Sequence, residues 1–176
     1  FADCVSLENI EISKDVVSYG TQIFEGCLIK EIKIPTAALG NGKFNTRFGD
    51  LSDSLEKIEF IGDVSAVIPE NYLFDLENDP YSKLKTVVMC NSITAVNKGA
   101  FRSCSNLENI TFSTAIIGDN FSLEAFAATK WSLGLEDYLE TNSLNSLVVN
   151  ETLVYISAKV SGLYEVPDNV KYLNKD

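Results

Sequence analysis

Along this chain apolar residues recur in pairs two positions apart: Ile10 and Ile12, Ile32 and Ile34, Ile58 and Phe60, Val87 and Met89, Ile110 and Phe112. Such alternation predicts short strands with one face turned to a core and the other to solvent. Each pair also closes a longer phrase. "FADCVSLENIEI" at Phe1 and "FRSCSNLENITF" at Phe101 agree at six of twelve positions and share the frame F-x-x-C-x-x-L-x-x-I-x-I. The first copy uses Phe1, Cys4 and Leu7; the second uses Phe24, Cys27 and Ile29, one residue shorter; the third uses Phe48, Leu51 and Leu55. Around an insertion the fourth uses Phe74 and Leu84, and the fifth uses Phe101, Cys104 and Leu107. Frame phenylalanines at 1, 24, 48, 74, 101 and 126 are spaced by 23, 24, 26, 27 and 25 residues, a solenoid period.

A lone coil of this length cannot bury both its strand and its flanking apolar residues, whereas stacked coils bury each against its counterpart. The expected fold is therefore mainly β: a right-handed solenoid of about six coils of 23–27 residues, with a parallel strand ladder and little helix, forming one domain over 1–176. Leu7, Ile10, Phe24, Ile32, Phe48, Ile58, Val87, Phe101 and Ile110 should be nearly inaccessible. The pairs Val16 and Tyr19, Val64 and Val67, Ile93 and Val96 should cover the core from the far side. From Ala125 the frame changes, so 125–176 is expected to be a variant coil. There "SLVV" and "TLVYI" read as a strand pair around a tight turn at Val149 to Leu153, and Val166, Pro167, Val170 and Leu173 resume the repeat. Val96 precedes Phe101 by five residues, and the same offset from Leu173 places the next Phe at 178. The segment is in phase with its repeat at both ends, which leads us to expect a piece of a longer array.

The repeat resembles the BspA-type, or Treponema pallidum-type, leucine-rich repeats of surface proteins, whose pattern is A-F-x-x-C-x-x-L-x-x-I-x-I-P followed by V-x-x-I-G. "EIKIP" (Glu31 to Pro35), Tyr19-Gly20, "GAF" (Gly99 to Phe101) and "EAF" (Glu124 to Phe126) match pieces of it. The tail from Ala125 resembles a variant unit of the same family, A-F-x-x-T-x-W and a strand pair. The resemblance implies a leucine-rich-repeat solenoid, an extracellular or cell-surface location, and a role in adhesion with a protein or glycan partner, including a host-derived one.

Composition narrows the chemistry. A formal charge of -11 and a pI near 4.4 disfavour nucleic acid and anionic membrane as partners. No apolar run approaches the ~18 residues of a membrane span, so no direct membrane insertion of this segment is expected. Histidine is absent, which removes histidine-based nucleophile systems and proton shuttles, and the four cysteines form no C-x-x-C pair. No cofactor, catalytic group or metal site is implied. "DLENDP", Asp75 to Pro80, clusters oxygen donors but lacks the glycine and distal glutamate of a calcium loop, and reads as a solvated insertion. Cys4, Cys27 and Cys104 share an inward slot and read as buried free thiols, with only Cys4 and Cys27 near enough to bridge; Cys90 is expected to be partly exposed.

Stacking also fixes which outward residues meet. One row should read Glu11, Lys33, Glu59, Val88, Thr111, and another Asn9, Glu31, Lys57, Thr86, Asn109. Opposite charges in such rows can serve solubility alone. The functional alternative is a binding surface comprising Glu11, Lys33, Lys57, Glu59, Thr86, Val88 and Thr111, whose charged half gives way to a neutral one. A non-catalytic binding module is the leading reading. The alternatives are a carbohydrate-active β-solenoid using paired carboxylates and a passive surface spacer.

Overall fold

The computed structural model describes residues 1–40, 42–73 and 81–175. Its strands, in chain order, are β1 (Asn9–Glu11), β2 (Glu31–Pro35), β3 (Lys57–Ile61), β4 (Ala66–Ile68), β5 (Thr86–Val88), β6 (Ile93–Val96), β7 (Asn109–Thr111), β8 (Ser146–Val149), β9 (Thr152–Ile156) and β10 (Tyr172–Leu173). The α-helices are short: α1 (Phe44–Phe48), α2 (Lys130–Leu133) and α3 (Leu135–Thr141). Every I-x-I unit forms a strand, and the five line up in the order β1-β2-β3-β5-β7, all parallel. The chain is thus a mainly β, parallel-strand solenoid with little helix.

Register is set by the inward residues: Ile10, Ile32, Ile58, Val87 and Ile110 are successive partners across the ladder. A one-residue slip would turn this whole row outward, so burial enforces the alignment. Ile32, Ile58 and Val87 are fully buried, whereas Ile10 and Ile110 are only half-buried because each stands on an edge strand with a neighbour on one side. Leu7 is half-buried for the same reason. Phe24, Phe48 and Phe101 are buried as expected.

Behind the strands the frame phenylalanines stack. Phe24 lies on Phe48 with ring centroids 6.2 Å apart and planes 10° from parallel, and Phe101 lies on Phe126 at 5.5 Å and 10°. Phe74 and the "DLENDP" segment lie outside the described residues. The F-x-x-C segment is a tight turn: the amides of Cys27, Cys104 and Thr129 donate to the carbonyls of Phe24, Phe101 and Phe126. Its third position takes positive φ in Asp3 (60°), Gly26 (73°), Ser103 (64°) and Ala128 (58°).

The cysteine slot is buried at Cys27 and Cys104, where burial pushes the Cys104 thiol up to about 12. Cys4 is exposed, contrary to expectation, since among the described residues no coil stacks on its outer side. All four cysteines are free, and the Cys27 thiol instead donates to the Phe1 carbonyl at 2.9 Å. Cys90 is half-buried, its thiol directed to the Gly62 carbonyl at 3.6 Å. The far side is covered by a second, parallel pair, β4 and β6. Here the expectation is corrected: Val64 and Val67 are exposed, and Ile68 is the fully buried residue of β4, because alternation along that strand turns Ala66 and Ile68 inward and Val67 outward. Ile93 and Val96 are buried, whereas Val16 and Tyr19 are half-buried.

The sixth coil departs from the ladder. Thr129 stands where earlier coils have Cys or Leu, and its hydroxyl accepts the Ser132 amide at 3.1 Å while donating to the Phe126 carbonyl at 2.7 Å. This N-cap starts α2 where a strand would otherwise follow. In α3, Leu135 and Leu139 recur at helical spacing and are buried. The antiparallel hairpin β8-β9 then turns at Asn150 and Glu151, both with positive φ (47° and 61°), as a two-residue type I′ turn requires. The Asn150 side-chain amide fixes the turn by donating to the Ser113 and Ile116 carbonyls at 2.6 and 2.9 Å. β10 adds parallel to β9, while Val166 and Leu173 stay exposed.

Helix α3 and strand β9 are joined through one carboxylate. Glu136 accepts from the Tyr155 hydroxyl (2.6 Å), the Ala158 amide (2.8 Å) and the Ser157 hydroxyl (2.7 Å). These donors, Tyr155 foremost, hold its pKa down to about 2 from the usual 4.5. The unfolded chain takes up this proton near 4.5 and the folded one only near 2. The contribution of Glu136 is therefore full above pH 4.5 and is lost as the pH falls through about 2.

Two outcomes follow from these contacts. Ile58→Ala should cost about 2–5 kcal/mol in chemical denaturation, because stacked coils on both sides prevent collapse around the cavity, and Ile10→Ala on the edge should cost clearly less. The difference in melting temperature between the parent chain and Glu136→Gln should be constant above about pH 5 and shrink toward zero between about pH 4.5 and 2. A gap that widens on acidification would contradict the assigned role of Glu136.

Candidate functional site

The same register that buries the inward row presents the outward rows as predicted. Glu11, Lys33, Glu59, Val88 and Thr111 are consecutive partners across the ladder, as are Asn9, Glu31, Lys57, Thr86 and Asn109. Lys33 pairs with Glu11 at 2.9 Å, and Lys57 pairs with Glu31 at 3.4 Å and Glu59 at 3.8 Å. The hydrogen bond and charge of Glu11, with Glu59 and Glu31 adding to them, raise the Lys33 pKa. Beyond Glu59 the rows turn neutral, with half-buried Thr86 and Val88 beside exposed Asn109 and Thr111.

A third row runs along the strand entrances, and the I-x-I frame does not announce it. Glu8, Lys30, Glu56, Lys85, Glu108 and Lys130 alternate in sign over six coils. Lys30 bonds Glu8 at 2.7 Å, Lys85 bonds Glu56 at 2.8 Å, and Lys130 bonds Glu108. Backbone pairing underlies the row. The carbonyl of Glu8 accepts both the Lys30 and Glu31 amides, and those of Lys30, Glu56 and Lys85 each accept the equivalent pair from the next coil. Its signal in the sequence is the residue that follows the frame Leu or Ile in the first five coils, whereas Lys130 follows Thr129 and is not announced in this way. These pairs are exposed, so each adds little to stability. Their consequence is electrostatic: the charged half of the face neutralises itself.

At the neutral end lies a groove of about 490 Å³. β7 is the last strand of the ladder, and among the described residues no strand pairs with its outer edge. Since α2 and α3 replace the next strand, a trough remains between β7 and β8, lined by Phe112, Trp131, Leu135, Leu147 and Val149. The Glu108–Lys130 pair and Tyr138 complete its walls. Phe112 and Trp131 meet edge-on with centroids 5.6 Å apart, and the Trp131 amide donates to the Leu107 carbonyl at 2.8 Å, anchoring the floor to the ladder. The sequence offers the single tryptophan and the apolar "SLVV" as signals, but the trough depends on which coil abandons its strand.

A polar recess of about 510 Å³ lies on the turns around Phe24 and Phe48 and carries the carboxylates Glu25 and Asp50. Glu25 accepts the Asp50 amide at 3.3 Å and Asp50 accepts the Ser52 amide at 3.0 Å, so both carboxylates are engaged by backbone. Among the described residues no group of three or more Cys, Asp or Glu side chains is placed to hold a metal ion. No helix formed by them is long and apolar enough to cross a membrane.

Comparison with known proteins agrees with the repeat geometry. A family model for the BspA type leucine rich repeat region matches in six copies, over residues 1–133 and 73–160. No curated protein and no solved structure matches the chain. Repeats of this family are generally non-catalytic, are typically surface-associated and commonly bind other proteins. With a stacked F-x-x-C-x-x-L-x-x-I-x-I frame and a family match over most of its length, this chain belongs to the BspA-type leucine-rich repeat family.

Proposed function

We propose that this chain is a non-catalytic binding module of a cell-surface or secreted leucine-rich-repeat protein, acting in adhesion. It recognises a protein partner through the outward face of its ladder. The observation that carries this reading is the division of that face. Glu11, Lys33, Lys57 and Glu59 are engaged with one another or with Glu31, so their charge is spent within the chain. Thr86, Val88 and Thr111 form a neutral surface with little desolvation cost, and Thr111 immediately precedes Phe112 of the apolar groove. Self-neutralised charges act as a solubilising frame, and the recognition energy comes from the neutral end.

The test is a binding screen of the purified chain against matrix proteins and a glycan array, followed by substitution. Val88→Glu combined with Thr111→Glu should weaken the captured protein about tenfold or more, by placing unpaired carboxylates in a desolvated contact. Glu8→Lys, at the far end, should change affinity by no more than about twofold. Equal effects from both would place the site elsewhere. Capture of glycans alone would replace the protein reading, and turnover of a glycan abolished by one carboxylate substitution would make the chain an enzyme.

A further inference from the structure

We propose that the groove beside β7 is a strand-shaped slot that takes an extended peptide of a partner protein, added to the ladder as its next strand. The inference rests on the reading of this end of the face as the binding surface.

The solenoid itself specifies the occupant. In the interior coils each inward strand position is covered by the coils on both sides: Ile34, Phe60 and Met89 are buried, as are Ile32, Ile58 and Val87. At β7 the two equivalent residues, Ile110 and Phe112, are only half-buried. Coil six keeps the earlier features of the frame, with Phe126 stacked on Phe101 and Lys130 completing the entrance row. Its chain then leaves the ladder through α2 at the place where a strand would begin. What the ladder lacks at this point is one strand and not a general apolar cover.

That defines the ligand's chemistry. An edge strand presents alternate amides and carbonyls to a neighbour, and main-chain bonds of this kind bind peptides with little regard to sequence. Specificity comes from side chains at every second position. The occupant carries two apolar residues, two positions apart, directed at Phe112, Trp131 and Leu147, and a small neutral residue between them beside Thr111. A cationic or acidic residue at the middle position gains little, since Thr86, Val88, Asn109 and Thr111 are uncharged and the Glu108 and Lys130 charges on the groove's wall are already paired with each other. The groove's size suits the side chains of a short segment and not a folded domain.

The experiment uses the whole chain and the fluorescence of Trp131, its only tryptophan. A library of capped heptapeptides with an apolar, neutral, apolar centre is titrated, and saturable shifts of Trp131 emission are expected from members of it. In the best binder, N-methylation at alternate residues should weaken binding about tenfold, while methylation of the intervening residues should change it less than about threefold, because only every second amide faces β7. Tyr138→Glu, on the exposed wall of the groove, should weaken the same peptide with an unchanged circular dichroism spectrum. Absence of any saturable shift, or equal tolerance of methylation at every position, overturns the proposal. If a protein captured in the screen above remains sensitive to Val88→Glu with Thr111→Glu while the peptides fail, the strand-addition inference falls and the binding-surface reading stands.

Discussion

The structure depends on one constraint: each coil must bury its inward isoleucine or valine against the same residue of the next. Ile32, Ile58 and Val87 reach full burial only because their strands run parallel in one register. The remaining regularities follow from it. Phenylalanine stacks on phenylalanine, the cysteine slot recurs under the turn, and each outward row is brought into line without any selection of its own. Once aligned, a row of like charges would destabilise the stack, and the alternation of Glu8, Lys30, Glu56, Lys85, Glu108 and Lys130 removes that cost.

The same constraint explains what breaks the pattern. Replacing the slot's cysteine with Thr129 changes a packing group into a helix cap, and the chain that follows turns into α2 and α3. The strand ladder ends where this helix cap stands, and an apolar trough lies at its edge. Glu136 then ties α3 to β9, and Asn150 ties the hairpin back to the fifth coil, so the departure is built as firmly as the repeat. The proposed binding surface lies where the repeat is interrupted, since the uninterrupted coils satisfy their own charges and their own cores.

The ladder is legible in the amino-acid sequence. The spacing of frame phenylalanines and the I-x-I alternation specify strands, order and register, because a period-two pattern repeated at a fixed interval admits one alignment. Cys4 and Val67 show where such reasoning stops. The frame gives a residue's slot, but burial depends on having a coil on each side, which Cys4 lacks among the described residues, and on the phase of each strand, which in β4 turns Ala66 and Ile68 inward and leaves Val67 exposed. The groove is not legible for a related reason: Trp131 meets Leu147 and Val149 only because α2, which carries Trp131, and α3 stand where the next strand would be.

Residue-resolved amide hydrogen exchange tests the central claim most directly. If stacking in register carries the stability of the chain, the amides of Ile32, Ile58 and Val87 should exchange only through global unfolding. Those of Ile10 and Ile110 should exchange through smaller openings, with protection falling toward both edges of the ladder. A contradictory result would be protection that is uniform across the five strands, or greatest in α3, since either would mean that the coils do not depend on their neighbours for their cores.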